Sequence, residues 1–118
     1  MLTKLADTTA ASPLGLAAGH KLLRVSAGNW INRRVALFMS APHTIVLSWS
    51  DSPYLSWTSP VPIMSDSEDS PFDAVINAGG DLIVAYTDQA TARLVSRRLT
   101  ITSTGWTVGT KVTVYDGA

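Results

Sequence analysis

Phe72-Asp73-Ala74-Val75-Ile76-Asn77-Ala78-Gly79-Gly80-Asp81-Leu82-Ile83-Val84-Ala85-Tyr86-Thr87 decides the class of this fold. Two runs rich in β-branched and aromatic residues, Phe72–Ile76 and Leu82–Thr87, flank a turn in which glycine takes positive φ at little cost. The stretch therefore reads as a β-hairpin. The same grammar extends outward. Arg93–Ile101 and Trp106–Tyr115 follow as further strands, punctuated by Thr104-Gly105. Upstream, Val35–Met39 and Thr44–Trp49 flank Ala41-Pro42-His43. Each run has the usual length of a strand and is short for a helix. The first twenty residues, with Pro13, Gly15 and Gly19, read as loop with at most one strand.

The chain repeats itself. Sliding it by 49 positions superposes residues 22–63 on 71–112 without a gap, bringing Val35-Ala36 onto Val84-Ala85, Val46 onto Val95 and Trp57-Thr58 onto Trp106-Thr107. The turn near Gly28-Asn29 falls close to that at Asn77–Gly80. A period in the forties with four strands per repeat is the pattern of a propeller blade. The expected fold is all-β, with two four-stranded antiparallel sheets as β-propeller blades, at residues 22–70 and 71–118. Residues 1–21 form an N-terminal segment, read as an outer strand or one exchanged between chains. Ser65–Pro71 is the most polar run and reads as a solvated linker; Asp66, Glu68 and Asp69 within it are weighed as calcium ligands and disfavoured.

Composition narrows the function classes. The 118 residues suffice for one core, with 46% apolar and 15% charged side chains. Nine basic and nine acidic residues give a formal net charge of zero, which leaves no footprint for nucleic acid or an anionic membrane and permits self-association. Without cysteine there is no disulfide, thiolate zinc site or cysteine nucleophile. No apolar run reaches the length of a membrane span. Asp7 interrupts the start too early for a secretion signal, so the chain is expected to stay where it is made, and its compartment is not specified.

At its first repeat the sequence resembles the Asp-box hairpin of sialidase-like (BNR-repeat) propellers, Ser-x-Asp-x-Gly-x-Thr-Trp with a proline soon after. The stretch Ser50-Asp51-Ser52-Pro53-Tyr54-Leu55-Ser56-Trp57-Thr58-Ser59-Pro60 matches at Ser50, Trp57 and Pro60. Ser56 replaces threonine, Asp51 comes one place early, and Tyr54 stands where the glycine belongs. The second repeat keeps Gly105-Trp106-Thr107 and lacks the acidic residue. The resemblance implies that Ser50, Asp51, Ser56 and Trp57 form a structural turn on the outer rim, a side-chain oxygen capping turn N–H groups while the tryptophan packs between sheets.

No residue set argues for catalysis, a metal or a cofactor. Sialidase chemistry needs clustered arginines and a tyrosine nucleophile, yet no spacing singles out Arg24, Arg33, Arg34, Arg93, Arg97 or Arg98, nor Tyr54, Tyr86 or Tyr115. His20 and His43 sit near predicted turns without an acidic or histidine partner at ligand spacing, and read as exposed loop residues. Gly79-Gly80-Asp81 is a hairpin turn rather than a phosphate loop. Trp57 and Trp106 read as inter-blade packing; Trp30 and Trp49, which have no aromatic counterpart in the other repeat, are candidates for an exposed ligand contact.

Two blades leave open sheet edges and apolar faces, so copies of the chain are the expected partner, with a trimer closing a six-bladed ring the favoured form. The leading expectation is a non-catalytic propeller fragment that self-assembles. A glycan-binding, lectin-like propeller is the alternative, and a remnant of a sialidase-like glycoside hydrolase the second.

Overall fold

The structure, a computed structural model, describes residues 20–69 and 72–115. Nine strands follow one another: β1 (His20–Arg24), β2 (Arg34–Ala41), β3 (Thr44–Ser50), β4 (Val61–Met64), β5 (Asp73–Ile76), β6 (Leu82–Thr87), β7 (Leu94–Ile101), β8 (Trp106–Val108) and β9 (Val112–Tyr115). They form two antiparallel meanders, β1-β2-β3-β4 and β5-β6-β7-β8, with β9 also paired to β7. The exchanged-strand reading of residues 1–21 falls outside the described residues, except that His20 and Lys21 open β1.

Alternation along the strands builds the core. Val35 and Leu37 on β2 and Ile45 and Leu47 on β3 point from the first sheet toward Leu82, Val84 and Tyr86 on β6 and Val95 and Leu99 on β7, in one continuous cluster. The sheets approach most closely at β1 and β5, the first strand of each. Their first turns interlock: Gly28 and Gly80 have φ of 78° and 92°, and a Cβ on Gly80 would lie 2.2 Å from the Ala27 carbonyl oxygen. Asn29 Nδ2 donates to the Ile101 carbonyl at 3.3 Å, tying the same turn to the end of β7.

The sheets differ in what they bury. On the far face of the first sheet, Ala36, Phe38, Val46 and Ser48 are buried as well. The far face of the second is half open, with Ile83, Ala85 and Ser96 partly exposed and Val75 and Leu94 exposed.

Four expectations need correction. Trp106–Tyr115 is not one strand. It pairs with β7 throughout but breaks at Gly109–Lys111, where the Gly109 N–H donates to the Arg98 carbonyl at 2.7 Å and the register shifts, so the second sheet has five strands. The described part of the expected linker is not a free segment, although Ser65 is exposed. Ser67 is fully buried and bridges to Asp88, and the Glu68 and Gln89 N–H groups donate to the Thr87 and Asp66 carbonyls. His20 lies in a strand opposite Phe38, and His43 is half-buried with Nδ1 2.9 Å from the Ser67 carbonyl oxygen, so neither is a free loop residue.

The fourth concerns the repeat. The 49-residue offset holds from β2 to β6, where Leu37 and Tyr86 take the same inward position. It becomes 48 from β3 to β7, because Leu47 pairs with Leu37 while Val95 pairs with Tyr86. Val46, set against Val95 by the gapless offset, therefore points to the opposite face. The extra residue sits in the bulged β2–β3 hairpin between Met39 and Ala41.

Candidate functional site

Three of the four tryptophans meet at one end of the core. Trp30 lies 5.0 Å from Trp49 and 5.7 Å from Trp106, centroid to centroid, and Trp49 lies 6.1 Å from Trp106, with the two contacts of Trp106 edge-to-face. The Arg33 guanidinium caps the pair Trp30 and Trp49 at 4.9 and 5.0 Å from their centroids. It is held there by Asp51, which accepts from Nε at 2.8 Å and from the terminal nitrogen at 3.1 Å. Trp30 is only 6% exposed, so it is a core residue and not the exposed contact expected for it. Trp49 remains half-buried, and Trp106 packs across the two sheets.

The Asp-box-like segment forms a tight loop outside β3. Ser50 Oγ donates to the Ser56 carbonyl at 2.6 Å, and the Tyr54 N–H to the Asp51 carbonyl at 2.7 Å. Tyr54 adopts φ 63°, the left-handed conformation that favours glycine, at the position where the motif has glycine. Its hydroxyl donates to the Asn32 carbonyl at 2.6 Å, a bond that helps hold the strained residue in place. The Asp51 carboxylate accepts both bonds from the Arg33 guanidinium. Thr58 closes the loop: its N–H donates to the Trp49 carbonyl, and its Oγ1 accepts from the Trp49 N–H at 3.0 Å.

Trp57 stands apart from the other three and separates two grooves. One, of about 390 Å³, is lined by Trp49, Asp51, Ser52, Pro53, Leu55, Ser56, Trp57 and Thr58. The other, of about 310 Å³, is lined by Leu22, Leu23, Arg24, Arg34, Val35 and Trp57. Trp57 and Trp106 therefore do not share a role. Trp106 pairs with Ile101 near the end of β7, whereas Trp57 precedes Thr58, which faces Trp49.

A charged network lies at the opposite end of the sheets. Tyr86, 1% exposed, donates its hydroxyl to Asp66 at 2.9 Å, and Lys111 bridges Asp66 and Asp88. Thr91 donates to the other oxygen of Asp88 at 2.6 Å. Burial pushes the Tyr86 phenol up to about 12, helped by the Asp66 charge. Burial would also raise the Asp66 carboxyl, but hydrogen bonds from Lys111 and Tyr86 outweigh it and hold it below 3.8. Thr91 and Lys111 lower Asp88 in the same way, and the two carboxylates raise Lys111. With Tyr86 closed to solvent, this cluster clamps the connecting segment to the second sheet.

The remaining arginine pairs divide between the faces. Arg97 Nε donates to the Gly109 carbonyl at 2.9 Å, while Arg98 pairs with Asp81, whose carboxylate also accepts the Ile101 N–H. Arg34 lies over the Tyr54 ring at 4.3 Å. Among the described residues no group of three or more His, Asp or Glu is placed to hold a metal ion. The sequence singled out neither the Arg24–Arg34 groove nor the Tyr86–Asp66–Lys111–Asp88 cluster, since both join residues distant along the chain. No protein-family model, curated protein or solved structure matches the chain.

Proposed function

We propose that this chain is a non-catalytic pair of propeller-type blades that associates with copies of itself. The observation that carries this reading is the unfinished second sheet. Val75, Val112 and Val114 are 54%, 59% and 58% exposed, and β9 is an edge strand free of proline and charge. Such a strand is a template for further pairing. The equivalent edge strand β4 is blunted by Pro62. Support for blades, and with them for a sialidase-like relationship, comes from the meander order, the close approach at the first strands and Tyr54 in the glycine conformation of the Asp-box.

Repeating the internal sheet-on-sheet packing three times would close a six-bladed ring, with the open face of one copy's second sheet against the far face of the next copy's first sheet. Ala36, Phe38 and Val46 on that receiving face are already buried. Pairing of two second sheets about a two-fold axis needs no such exposure and is the simpler assembly. Light scattering after size exclusion separates the cases: three copies support the ring, two the face-to-face pair, and a monomer at high micromolar concentration removes the proposal. The double substitution Val112→Lys with Val114→Lys is expected to yield a folded monomer.

A glycan-binding reading is favoured by one feature, the groove in which Trp49 and Trp57 flank the hydroxyls of Ser52, Ser56 and Thr58. It requires saturable binding on a glycan array and loss of that binding in Trp49→Ala.

A further inference from the structure

We propose that the groove between β1, β2 and Trp57 is a binding site for an organic oxyanion that carries a planar or apolar ring. Arg24 and Arg34 are register partners on adjacent strands, so their side chains leave the same face of the sheet side by side. Both are exposed, and neither makes an ion pair among the described residues. Four of the other described cations are matched by carboxylates, Lys21 with Asp73, Arg33 with Asp51, Arg98 with Asp81 and Lys111 with Asp66 and Asp88; Arg97 donates instead to the Gly109 carbonyl, and Arg93 stands in the β6–β7 turn, not beside a second cation across a strand pair. Two like charges directly across a strand pair disfavour the sheet, and in a protein of zero net charge no general cationic surface accounts for them.

The surroundings add a second requirement. Leu22, 71% exposed, shares the face of the arginine pair two residues along β1, and Trp57 walls the groove from the side. Stacking on Tyr54 at 4.3 Å limits the freedom of the Arg34 guanidinium, so that less entropy is lost when it takes a ligand. A carboxylate or sulfate oxygen set between the two guanidiniums receives charge-assisted N–H donors from both and removes their repulsion. A ring attached to that group covers Trp57 and Leu22. An inorganic anion satisfies the first demand alone, and a neutral aromatic only the second. This site is on the far face of the first sheet, beside Ala36, so it stays open in the single chain and in the pairing of two second sheets, whereas the six-bladed ring would turn it toward the next copy.

The test uses the full chain with phenyl sulfate and benzoate as probes, sodium sulfate and benzyl alcohol as controls, titrated by calorimetry and followed at the tryptophan indole N–H signals. The two ring anions are expected to saturate one site per chain at least about tenfold more tightly than either control, in line with the added charge-assisted bonds. The Trp57 indole signal, assigned with Trp57→Phe, should move while that of Trp30 stays. Arg24→Gln should weaken binding about tenfold with an unchanged circular dichroism spectrum, and added salt should weaken it in the wild type. Should Trp57→Phe fail to fold, Arg24→Gln and Arg34→Gln still decide the matter. Equal binding of benzyl alcohol, equal binding of sulfate, no saturable binding, or full affinity in both arginine variants would each overturn the proposal.

Discussion

Gly80→Ala tests whether the interlocked first turns hold the two sheets in place. The new Cβ would lie 2.2 Å from the Ala27 carbonyl oxygen and 2.8 Å from its carbon, both main-chain atoms of the other sheet. A backbone carbonyl cannot swing aside as a side chain can, so the turns must separate. The residue would also hold φ near 92°, a strain of roughly 1–2 kcal/mol for alanine. Separation strains the Asn29–Ile101 hydrogen bond, worth about 1 kcal/mol more. The expected loss is about 3 kcal/mol or larger, which for a domain of this size lowers the melting midpoint by about 12 °C. Gly79→Ala is the internal control, since its Cβ meets only Asn77 Oδ1 at 3.6 Å. It should stay within about 0.5 kcal/mol of the wild type. Thermal melts by far-ultraviolet circular dichroism give the midpoints, and tryptophan fluorescence reports the nearby aromatic cluster. A Gly80→Ala midpoint within about 2 °C of the wild type, or an equal loss in Gly79→Ala, would refute the reasoning.

Other perturbations read other parts of the molecule. Trp30→Ala removes a buried indole that touches Trp49 and Trp106 and should cost about 3–5 kcal/mol in urea titrations. Asp66, Asp81 and Asp88 are all held below 3.8, so the folded chain binds fewer protons than the unfolded one near that pH. Their contribution is complete above pH 4 and is lost as the pH falls through the lowered values; the urea midpoint should drop there, with a shallower drop in Asp88→Asn. At the alkaline end the Tyr86 contribution is present below pH 10 and fades as the pH rises toward about 12, an effect that Tyr86→Phe should abolish along with roughly 1–2 kcal/mol of stability at pH 7.

The class of fold was legible because its signal is local. Alternation within Leu82–Thr87 and a glycine turn before it specify a hairpin without reference to the rest of the chain, and the meander follows from repeating that rule. Offsets between repeats are less well marked. One inserted residue in the Met39–Ala41 bulge turns Val46 outward, yet leaves no gap in a superposition that scores residue types alone. Polar runs misled for a related reason. Serines and aspartates between Ser65 and Asp69 look like linker composition, but Ser67 and Asp66 find main-chain and side-chain partners on β6 and its following loop, which no local pattern announces.

The candidate sites were hidden because their chemistry depends on register. Arg24 and Arg34 are ten positions apart in the chain and become neighbours only because the β1–β2 connection sets Arg24 opposite Arg34. A one-residue change in that connection would place Val35 or Arg33 there instead, sending one partner to the other face and dissolving the pair. Arg33 illustrates the sensitivity: one position earlier, it caps Trp30 and Trp49 and is neutralised by Asp51, while Arg34 lies over Tyr54 with no acidic partner among the described residues. Two adjacent arginines of identical chemistry therefore perform different tasks, one closing the aromatic cluster and the other opening onto the groove. The turn that fixes this register is the one whose Gly28 interlocks with Gly79 and Gly80. Stability and binding should consequently be coupled: a substitution that separates those turns is expected to loosen the arginine pair even though it touches neither residue. Weakened phenyl sulfate affinity in a folded Gly80→Ala variant would show that coupling, and unchanged affinity would show that the β1–β2 register survives without its inter-sheet support.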